Sequence, residues 1–181
     1  RRGGKGLIAT TTKEEDFVKN IFIASTHSYI LLFTNKGRVH WLKVYHIPEA
    51  SRQARGKAIV NLLTLQQDEK VTAYIPVKEF NEKHFLVMST KKGTIKKTNL
   101  DAYSNPRKSG IIAITLDQKD SLIGVKLTDG SKEIILATRK GIAVRFKENG
   151  IRSTGRSAQG VRGIRLSEND EVIGMVVATD E

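Results

Sequence analysis

The stretch Ile30-Leu-Leu-Phe-Thr-Asn-Lys-Gly37 occurs in this chain three times, each time in a slightly different form. The other two copies are Phe85-Leu-Val-Met-Ser-Thr-Lys-Lys-Gly93 and Ile134-Ile-Leu-Ala-Thr-Arg-Lys-Gly141. Each copy is a continuous apolar run, then a Ser or Thr, then a basic turn that ends in Lys-Gly. Such a run followed by a glycine-containing turn is typical of a β-strand that enters a hairpin. Three copies of one hairpin signal indicate a repeat architecture.

More strand signals follow each hairpin turn in the same order. Second strands are predicted at 38–44, 94–100 and 142–146. Basic loops ending in glycine come next, at 51–56, 105–110 and 155–160. Last strands are predicted at 59–65, 111–116 and 161–166, and after an acidic turn a new strand begins at Val71, Leu122 or Val172. The repeating unit is therefore four strands in about fifty residues.

These units predict an all-β fold, a propeller-like array of four-stranded blades in a single domain over residues 1–181. Three units are complete, at about 17–65, 71–116 and 122–166; a last strand without its unit is predicted at 6–12, and a fourth unit starts at 172. The apolar strands of the hairpins are nearly continuous rather than alternating. We therefore expect both faces of each sheet to be covered by neighbouring blades.

The charge balance points to a polyanionic partner. The chain has 31 Lys and Arg against 19 Asp and Glu, a net charge of +12 and a pI of about 10.0. Such a bias favours nucleic acid first and an anionic membrane surface second. Aromatic residues are 6% of the chain, too sparse for the stacking platforms of single-strand binders, so duplex DNA is the better candidate.

Composition and residue spacing also argue against several other classes of protein and of functional site. The chain has no cysteine, which excludes a disulfide framework and thiolate chemistry. No apolar run approaches the roughly 18 residues that a membrane span needs, and no signal peptide is recognisable, so we expect a cytoplasmic location. The four histidines are scattered without metal-ligand spacing, and the acidic residues cluster in turns. We therefore predict no catalytic residue, no metal site and no cofactor in this chain.

The basic loops are the main predicted DNA-binding residues, because loops at equivalent places on successive blades would form a belt of cations. A belt of this kind contacts phosphates and does not read sequence. Its members are Arg52, Arg55, Lys57, Arg107, Lys108, Arg152, Arg156, Arg162 and Arg165. Weaker candidates, which equally suit hairpin turns or strand edges, are Lys36, Lys91, Lys92, Lys96, Lys97, Arg139 and Lys140.

The first six residues concentrate the same chemistry. They are Arg1, Arg2, Gly3, Gly4, Lys5 and Gly6. Glycines let another surface approach the backbone closely, and the cations suit phosphate oxygens. A solvated chain end is the alternative interpretation, but the basic loops repeat a weaker version of the same pattern.

With these repeats and this opening run, the chain resembles the C-terminal domain of the A-type polypeptide of DNA gyrase, a type IIA topoisomerase. Residues 1–6 are similar to that family's box motif, usually written Gln-Arg-Arg-Gly-Gly-Lys-Gly, without its leading Gln. The resemblance covers all 181 residues. The related topoisomerase IV protein has similar blades but no intact box, so the box favours gyrase.

The resemblance implies a β-pinwheel, a disc in which strands are exchanged between blades. Duplex DNA would wrap around its basic perimeter with a fixed hand, so that the enzyme introduces negative supercoils. The implied partners are the N-terminal domain of gyrase A and the gyrase B protein in an A2B2 holoenzyme, near the nucleoid and away from membranes. The catalytic tyrosine, ATP and Mg²⁺ would belong to those other domains. Two alternatives stay open: a topoisomerase IV-type domain, and a basic propeller that docks an acidic protein.

Overall fold

The computed structural model describes residues 23–51, 54 and 56–178, without the side chain of Val60. Several predictions fall outside these residues: the box, the strand at 6–12, the start of the first unit at 17, and the loop cations Arg52 and Arg55.

The described residues form eleven β-strands and four short 3-10 helices. The strands are β1 Tyr29–Thr34, β2 Arg38–Lys43, β3 Val71–Val77, β4 Phe85–Thr90, β5 Thr94–Asn99, β6 Ile111–Ile112, β7 Leu122–Thr128, β8 Glu133–Thr138, β9 Ala143–Lys147, β10 Val161–Arg162 and β11 Val172–Ala178. The 3-10 helices are Val44–His46, Ile59–Leu62, Leu100–Tyr103 and Glu148–Gly150. The fold is all-β, as the sequence predicts.

Three antiparallel sheets are built around the three hairpins. Their strand orders are β3-β1-β2-β6, β10-β5-β4-β7 and β11-β8-β9. Within each hairpin the register is set by the Lys-Gly turn, so that Phe33 faces Val39, Ser89 faces Ile95, and Ala137 faces Ala143. The hairpins predicted from the sequence thus form the two central strands of the first two sheets and two of the three described strands of the third, where β9 lies at the edge.

The grouping of strands into blades differs from the predicted units. The unit 71–116 was expected to form one blade, but β3 pairs with β1 of the preceding hairpin, and β6 pairs with β2. In the same way β7 pairs with β4, and β10 pairs with β5. A periodic pattern looks the same from any starting strand, so it cannot show where a sheet begins. Strand exchange between neighbours, which the resemblance implies, is present.

The predicted last strands are shorter than expected, and hydrogen bonds at the hairpin turns explain this. After β6, the amides of Ala113 and Ile114 leave the sheet and both donate to the carbonyl of Gly37, at 2.8 and 3.1 Å. After β10, Gly163 and Ile164 donate to Gly93 in the same way, at 2.8 and 3.2 Å. Ile59–Leu62, where a strand was predicted, is a 3-10 helix instead.

The Lys-Gly turns also hold neighbouring sheets together. The carbonyl of Asn35 accepts from the amide of Leu122 at the start of β7, and that of Lys91 accepts from Val172 at the start of β11. Gly37 and Gly93 have φ of +71° and +87°, and a Cβ at Gly37 would lie 2.6 Å from the carbonyl oxygen of Ile114. Glycine is required there both for backbone conformation and for close approach.

The core lies between the sheets. One cluster joins the first two sheets through Leu31 and Phe33 on one side and Leu86 and Met88 on the other. A second cluster joins the next two sheets through Val87, Ile134 and Leu136, and a third covers the opposite face of β1 at Ile30 and Leu32. Since alternate residues of β1 and β4 enter different clusters, both faces of these strands are buried, as their continuous apolar sequence predicts.

Candidate nucleic-acid interface

The described basic loops lead into strands at one edge of their sheets. Loop 105–110 precedes β6, and loop 155–160 precedes β10; these two strands occupy equivalent edge positions. The opposite edges are β3, β7 and β11, and β7 packs between the other two. The loops therefore lie on the outer side of the array, away from the strands that stack together.

Most of the described loop cations face solvent without an acidic partner. None of the following forms an ion pair with another described residue: Lys57, Arg107, Lys108, Arg152, Arg162 and Arg165, all of them exposed. Some cations outside the loops are paired, for example Lys91 with Glu171 at 3.0 Å and Arg145 with Glu133 at 3.3 Å. The loops thus present uncompensated positive charge, which suits a polyanion.

Arg156 differs from the other loop cations. It is half-buried, and its guanidinium donates to the carbonyl of Ile112 on β6 at 2.5 Å. The side chain therefore holds its loop against the edge of the first sheet. Its charge stays near the surface, but its geometry is fixed by this bond.

The first of these two loops, 105–110, rests on a buried cluster of acidic and basic side chains. Arg38 on β2 donates to the carbonyl of Ser109 in the loop and lies 3.3 Å from a carboxylate oxygen of Glu69. The His40 ring lies against Gly110, where a Cβ would stand 2.7 Å from the ring carbon Cε1. His40 Nε2 is 3.5 Å from Glu69, whose carboxylate also accepts from Thr34 at 2.8 Å and from the Gln66 amide at 2.7 Å.

Burial and pairing oppose each other in this cluster. Burial alone would raise the pKa of Glu69, but the bonds from the Gln66 amide and Thr34 and the charge of Arg38 outweigh it and lower the pKa. Burial lowers the pKa of His40, although the hydrogen bond and charge of Glu69 act the other way. The first loop therefore stands on an ionised carboxylate balanced by Arg38, beside a histidine that is neutral at pH 7.

The second of the two loops, 155–160, rests on a buried lysine. Lys96 on β5 is 1% exposed, and its Nζ donates to the carbonyls of Ala113, at 2.6 Å, and Arg156. The Tyr103 hydroxyl shares the Ala113 carbonyl at 3.0 Å. Burial, helped by the nearby charge of Arg156, lowers the pKa of Lys96 to about 7.

Lys96 and Lys97, predicted as weaker DNA-binding residues, are corrected by the structure. Lys97 Nζ lies 3.4 Å from Glu148 and 4.3 Å from the centre of the Phe85 ring, and the residue is 6% exposed. Both ammonium groups are engaged inside the protein, so neither can contact a duplex at the surface. The sequence did not show this, because the strand pattern around them contains polar residues on both faces.

The hairpin lysines have a repeated structural role. Lys36, Lys92 and Lys140 each donate to a backbone carbonyl in the turn before the edge strand, at Gln67, Gln118 and Glu168, at 2.5 Å in each case. Residues Asp68, Lys119 and Asn169 of these turns have φ near +55 to +58°. The lysine therefore caps a turn that is conformationally demanding. Arg139 acts similarly on Asn169 and Glu171.

Sequence reasoning missed the residues that support the loops. Arg38, His40, Glu69 and Tyr103 are not among the candidate residues predicted from the sequence. A signal was present: aligned on the turn glycine, His40 and Lys96 fall at the same position. A titratable residue recurring at an inward-facing strand position predicts a buried polar contact.

Two further properties hold for the described part of the chain. It contains no group of three or more His, Cys, Asp or Glu side chains placed to hold a metal ion. Within the same ranges, no helix has the length and apolar character needed to cross a membrane.

Comparison with known families decides the relationship. A family model described as "DNA gyrase C-terminal domain, beta-propeller" matches residues 1–25, 28–78, 84–129 and 132–179. The chain belongs to this family. Each of the last three matched segments begins with a hairpin and ends with the edge strand that pairs with it, and the segments 84–129 and 132–179 also lend β6 and β10 to the preceding sheet. The resemblance to the gyrase A C-terminal domain is confirmed.

Individual gyrase A proteins are similar along the whole chain. The gyrase A protein of Clostridium acetobutylicum is 57% identical over 163 residues, 90% of this chain and 20% of the relative. That of Salmonella typhimurium is 50% identical over 181 residues, 100% of this chain and 21% of the relative. The chain thus spans about a fifth of the length of the gyrase A proteins that it matches.

Solved structures confirm the pinwheel-type fold. A crystal structure of the C-terminal domain of DNA topoisomerase IV superposes with a TM-score of 0.77 at 32% identity, covering 86% of this chain and 48% of that one. A structure of the DNA gyrase A C-terminal domain superposes with a TM-score of 0.71 at 24% identity, covering 95% of this chain and 58% of that one, which shows the fold alone.

Proposed function

We propose that this gyrase-family domain binds duplex DNA without sequence preference and wraps it around the outer edges of its sheets. The observation that carries the proposal is the recurrence of exposed, unpaired cations in or beside the loops that enter β6 and β10, at equivalent edges of successive sheets. Some cations on other surfaces, such as Lys91 and Arg145, are paired with carboxylates. A duplex that follows the edges would meet these loops in succession.

A belt of this kind works through phosphates. Each lysine or arginine that neutralises a phosphate releases a condensed counterion, and binding therefore weakens steeply with salt. Bending about 20–30 base pairs by 40–90° costs on the order of 1–6 kcal/mol, so several blades must share the contacts that offset it. Loops on successive sheets would each supply part of these contacts. Because the loops are held at fixed angles to one another, the DNA would wrap with one handedness.

In the intact enzyme the domain would act without catalytic residues of its own. Wrapping of one hand would present a crossing to the cleavage and ATP-driven domains of gyrase A and gyrase B, so that strand passage produces negative supercoils. The box at Arg1–Gly6 would be needed for this step. Replacing Arg1, Arg2 and Lys5 with Ala in the holoenzyme should leave the blades folded and abolish negative supercoiling.

The test compares two doubly substituted proteins of equal charge. Arg107→Ala with Lys108→Ala removes two loop cations, whereas Lys78→Ala with Lys83→Ala removes two exposed lysines between β3 and β4, neither of which forms an ion pair with a described residue. Duplex affinity is measured against salt concentration. Losing two phosphate contacts should reduce the slope of log K against log salt by about 1.8, and the control should change it by much less.

Two results would overturn the proposal. Affinity that does not depend on salt would exclude a phosphate belt. Equal slopes for the two double variants would show that the loops have no special part in binding. Nuclease protection over several helical turns is expected in the wild type, and its absence in a protein that still binds an acidic partner would favour the docking alternative.

A further inference from the structure

Lys96 joins three segments of the chain at one buried point. It lies on β5 of the second sheet, and its ammonium group donates to a carbonyl on each of two other segments. Ala113 immediately follows β6, which is paired with the first sheet, and Arg156 belongs to the second basic loop. The contact therefore involves the second sheet, the chain leaving the first sheet, and a loop of the proposed DNA path.

Other bonds show that the second loop is held between two sheets. On one side, the Thr154 amide donates to the Lys97 carbonyl at 2.9 Å. On the other side, Thr115 donates its amide to the Ala158 carbonyl at 3.2 Å and its hydroxyl to the Ser157 carbonyl at 2.7 Å. The loop thus spans the junction of the two sheets, and Lys96 lies beneath its centre.

Stability does not account for a lysine at this point. None of the described carboxylates lies within ion-pair distance of Lys96, and the charged group that faces it is Arg156, of the same sign. The remaining titratable neighbour is Tyr103, whose pKa is raised by burial, so that it is neutral and shares the Ala113 carbonyl. A buried ammonium group without a counterion is costly, and its two bonds to carbonyl oxygens offset only part of that cost.

We propose that Lys96 is a positioning residue for DNA wrapping. Its ammonium group fixes the second basic loop against the chain that leaves the first sheet, and so sets the path of the duplex from one loop to the next. The inference rests on the proposed wrapping function. Lys96 itself contacts no phosphate; it acts through the loop that lies between Arg152 and Arg162. A loop released from this point would keep its charges but lose its alignment with loop 105–110.

The experiment distinguishes a loss of loop alignment from the loss of a positive charge and from a loss of folding. The intact gyrase A protein containing this chain is compared with its Lys96→Met variant and with a Lys83→Met control, which removes the same charge from an exposed turn. Three quantities are measured: the melting temperature, the affinity for a short linear duplex, and the linking-number change trapped when nicked circles are ligated with the protein bound.

For Lys96→Met we expect a small change in melting temperature, because relief from burying the charge offsets the two lost carbonyl bonds. Short-duplex affinity should change by less than about threefold, since no phosphate contact is lost. The trapped linking-number change per bound protein should fall by at least about half. The control should match the wild type. A merely structural role would lower the melting temperature and the affinity together, and that result would overturn the inference, as would wrapping by Lys96→Met equal to that of the control.

A second variant covers the case in which Lys96→Met does not fold. Thr115→Val acts at the same junction between the two sheets. It removes the exposed hydroxyl that donates to the Ser157 carbonyl and leaves all charges in place. We expect a smaller loss of trapped linking number in the same direction, and full retention would overturn the inference. If the wild-type protein traps no linking-number change, the proposed function itself fails; if it does and both variants do too, only the role of Lys96 fails.

Discussion

The two described basic loops occupy equivalent places on neighbouring sheets but rest on different chemistry. Loop 105–110 lies over a balanced cluster, in which the carboxylate of Glu69 is shared by Arg38, His40 and Thr34. Loop 155–160 lies over Lys96, which is surrounded by carbonyl oxygens and the hydroxyl of Tyr103. One backbone arrangement is therefore supported either by an ion pair or by a lone ammonium group.

This difference shows which part of the junction between each loop and the residues beneath it is required by the fold. Both junctions keep a glycine with positive φ at the end of the loop, Gly110 at +78° and Gly160 at +95°, and both end in a two-residue edge strand. The supporting side chains vary, so the glycine with positive φ is the shared element and the polar group is adapted to each junction.

The largest effect is expected at the shared element. Gly160→Ala places a Cβ 2.5 Å from the carbonyl oxygen of Ile95 at a residue with φ of +95°, so strain and overpacking add to about 2–6 kcal/mol of lost stability. Gly155→Ala, in the same loop with open space around its Cβ and no positive φ, is the control. Chemical denaturation of both variants checks this, and similar midpoints would contradict a required close approach.

A smaller effect is expected from removing the charge of the first junction. Glu69→Gln keeps an acceptor for Thr34 and the Gln66 amide but leaves Arg38 unpaired, at a cost of about 1.5–3 kcal/mol near pH 7. Because the pKa of Glu69 is lowered in the fold, the wild type should lose this stability as pH falls below about 4.5, whereas the variant should not. Unfolding measured from pH 7 to 3 tests it; parallel curves would show that Glu69 contributes nothing.

The second junction should respond to pH in another range. The pKa of Lys96 is about 7 in the fold against 10.5 for an ordinary lysine, so between these values the unfolded chain binds the extra proton and stability rises with pH. We expect a gain of about 1–3 kcal/mol between pH 7 and 9 in the wild type and a flatter curve for Lys96→Met. An identical slope in the two proteins would mean that the ammonium group is not held as described.

The smallest effect is expected at the hairpin lysines, which do not differ between the sheets. Lys36→Met and Lys92→Met each remove one exposed bond to a turn carbonyl, and each should cost about 0.5–1.5 kcal/mol of stability. The two values should agree within error, measured by thermal unfolding. Unequal values would show that the sheets differ at the turns as well as beneath the loops.

The elements that repeat along the chain and depend only on neighbouring residues could be predicted from the sequence. The hairpins at 30–44, 85–100 and 134–146 and the basic loops follow from apolar runs and glycine placement, which depend on neighbouring residues alone. Pairing partners could not be predicted in the same way, because the choice between β3 with β1 and β3 with β4 depends on contacts across some forty residues.

The supporting residues escaped prediction for a related reason. Lys96 and Lys97 are adjacent and basic, and only the register of β5 shows that Lys96 meets the second loop while Lys97 turns to Glu148 and Phe85. The 3-10 helix at Ile59–Leu62 has the apolar composition of a strand, and composition does not show whether a partner strand is present.

Trapping of linking number by the intact gyrase A protein tests the central claim most directly. Nicked circles are ligated with wild-type protein bound and with a variant in which Arg107, Lys108, Arg152 and Arg162 are changed to Ala. The wild type should shift the linking number in one direction only, in proportion to bound protein, and the variant should lose most of the shift while remaining folded. No shift in the wild type, or an equal shift in the variant, would contradict wrapping by the loop cations.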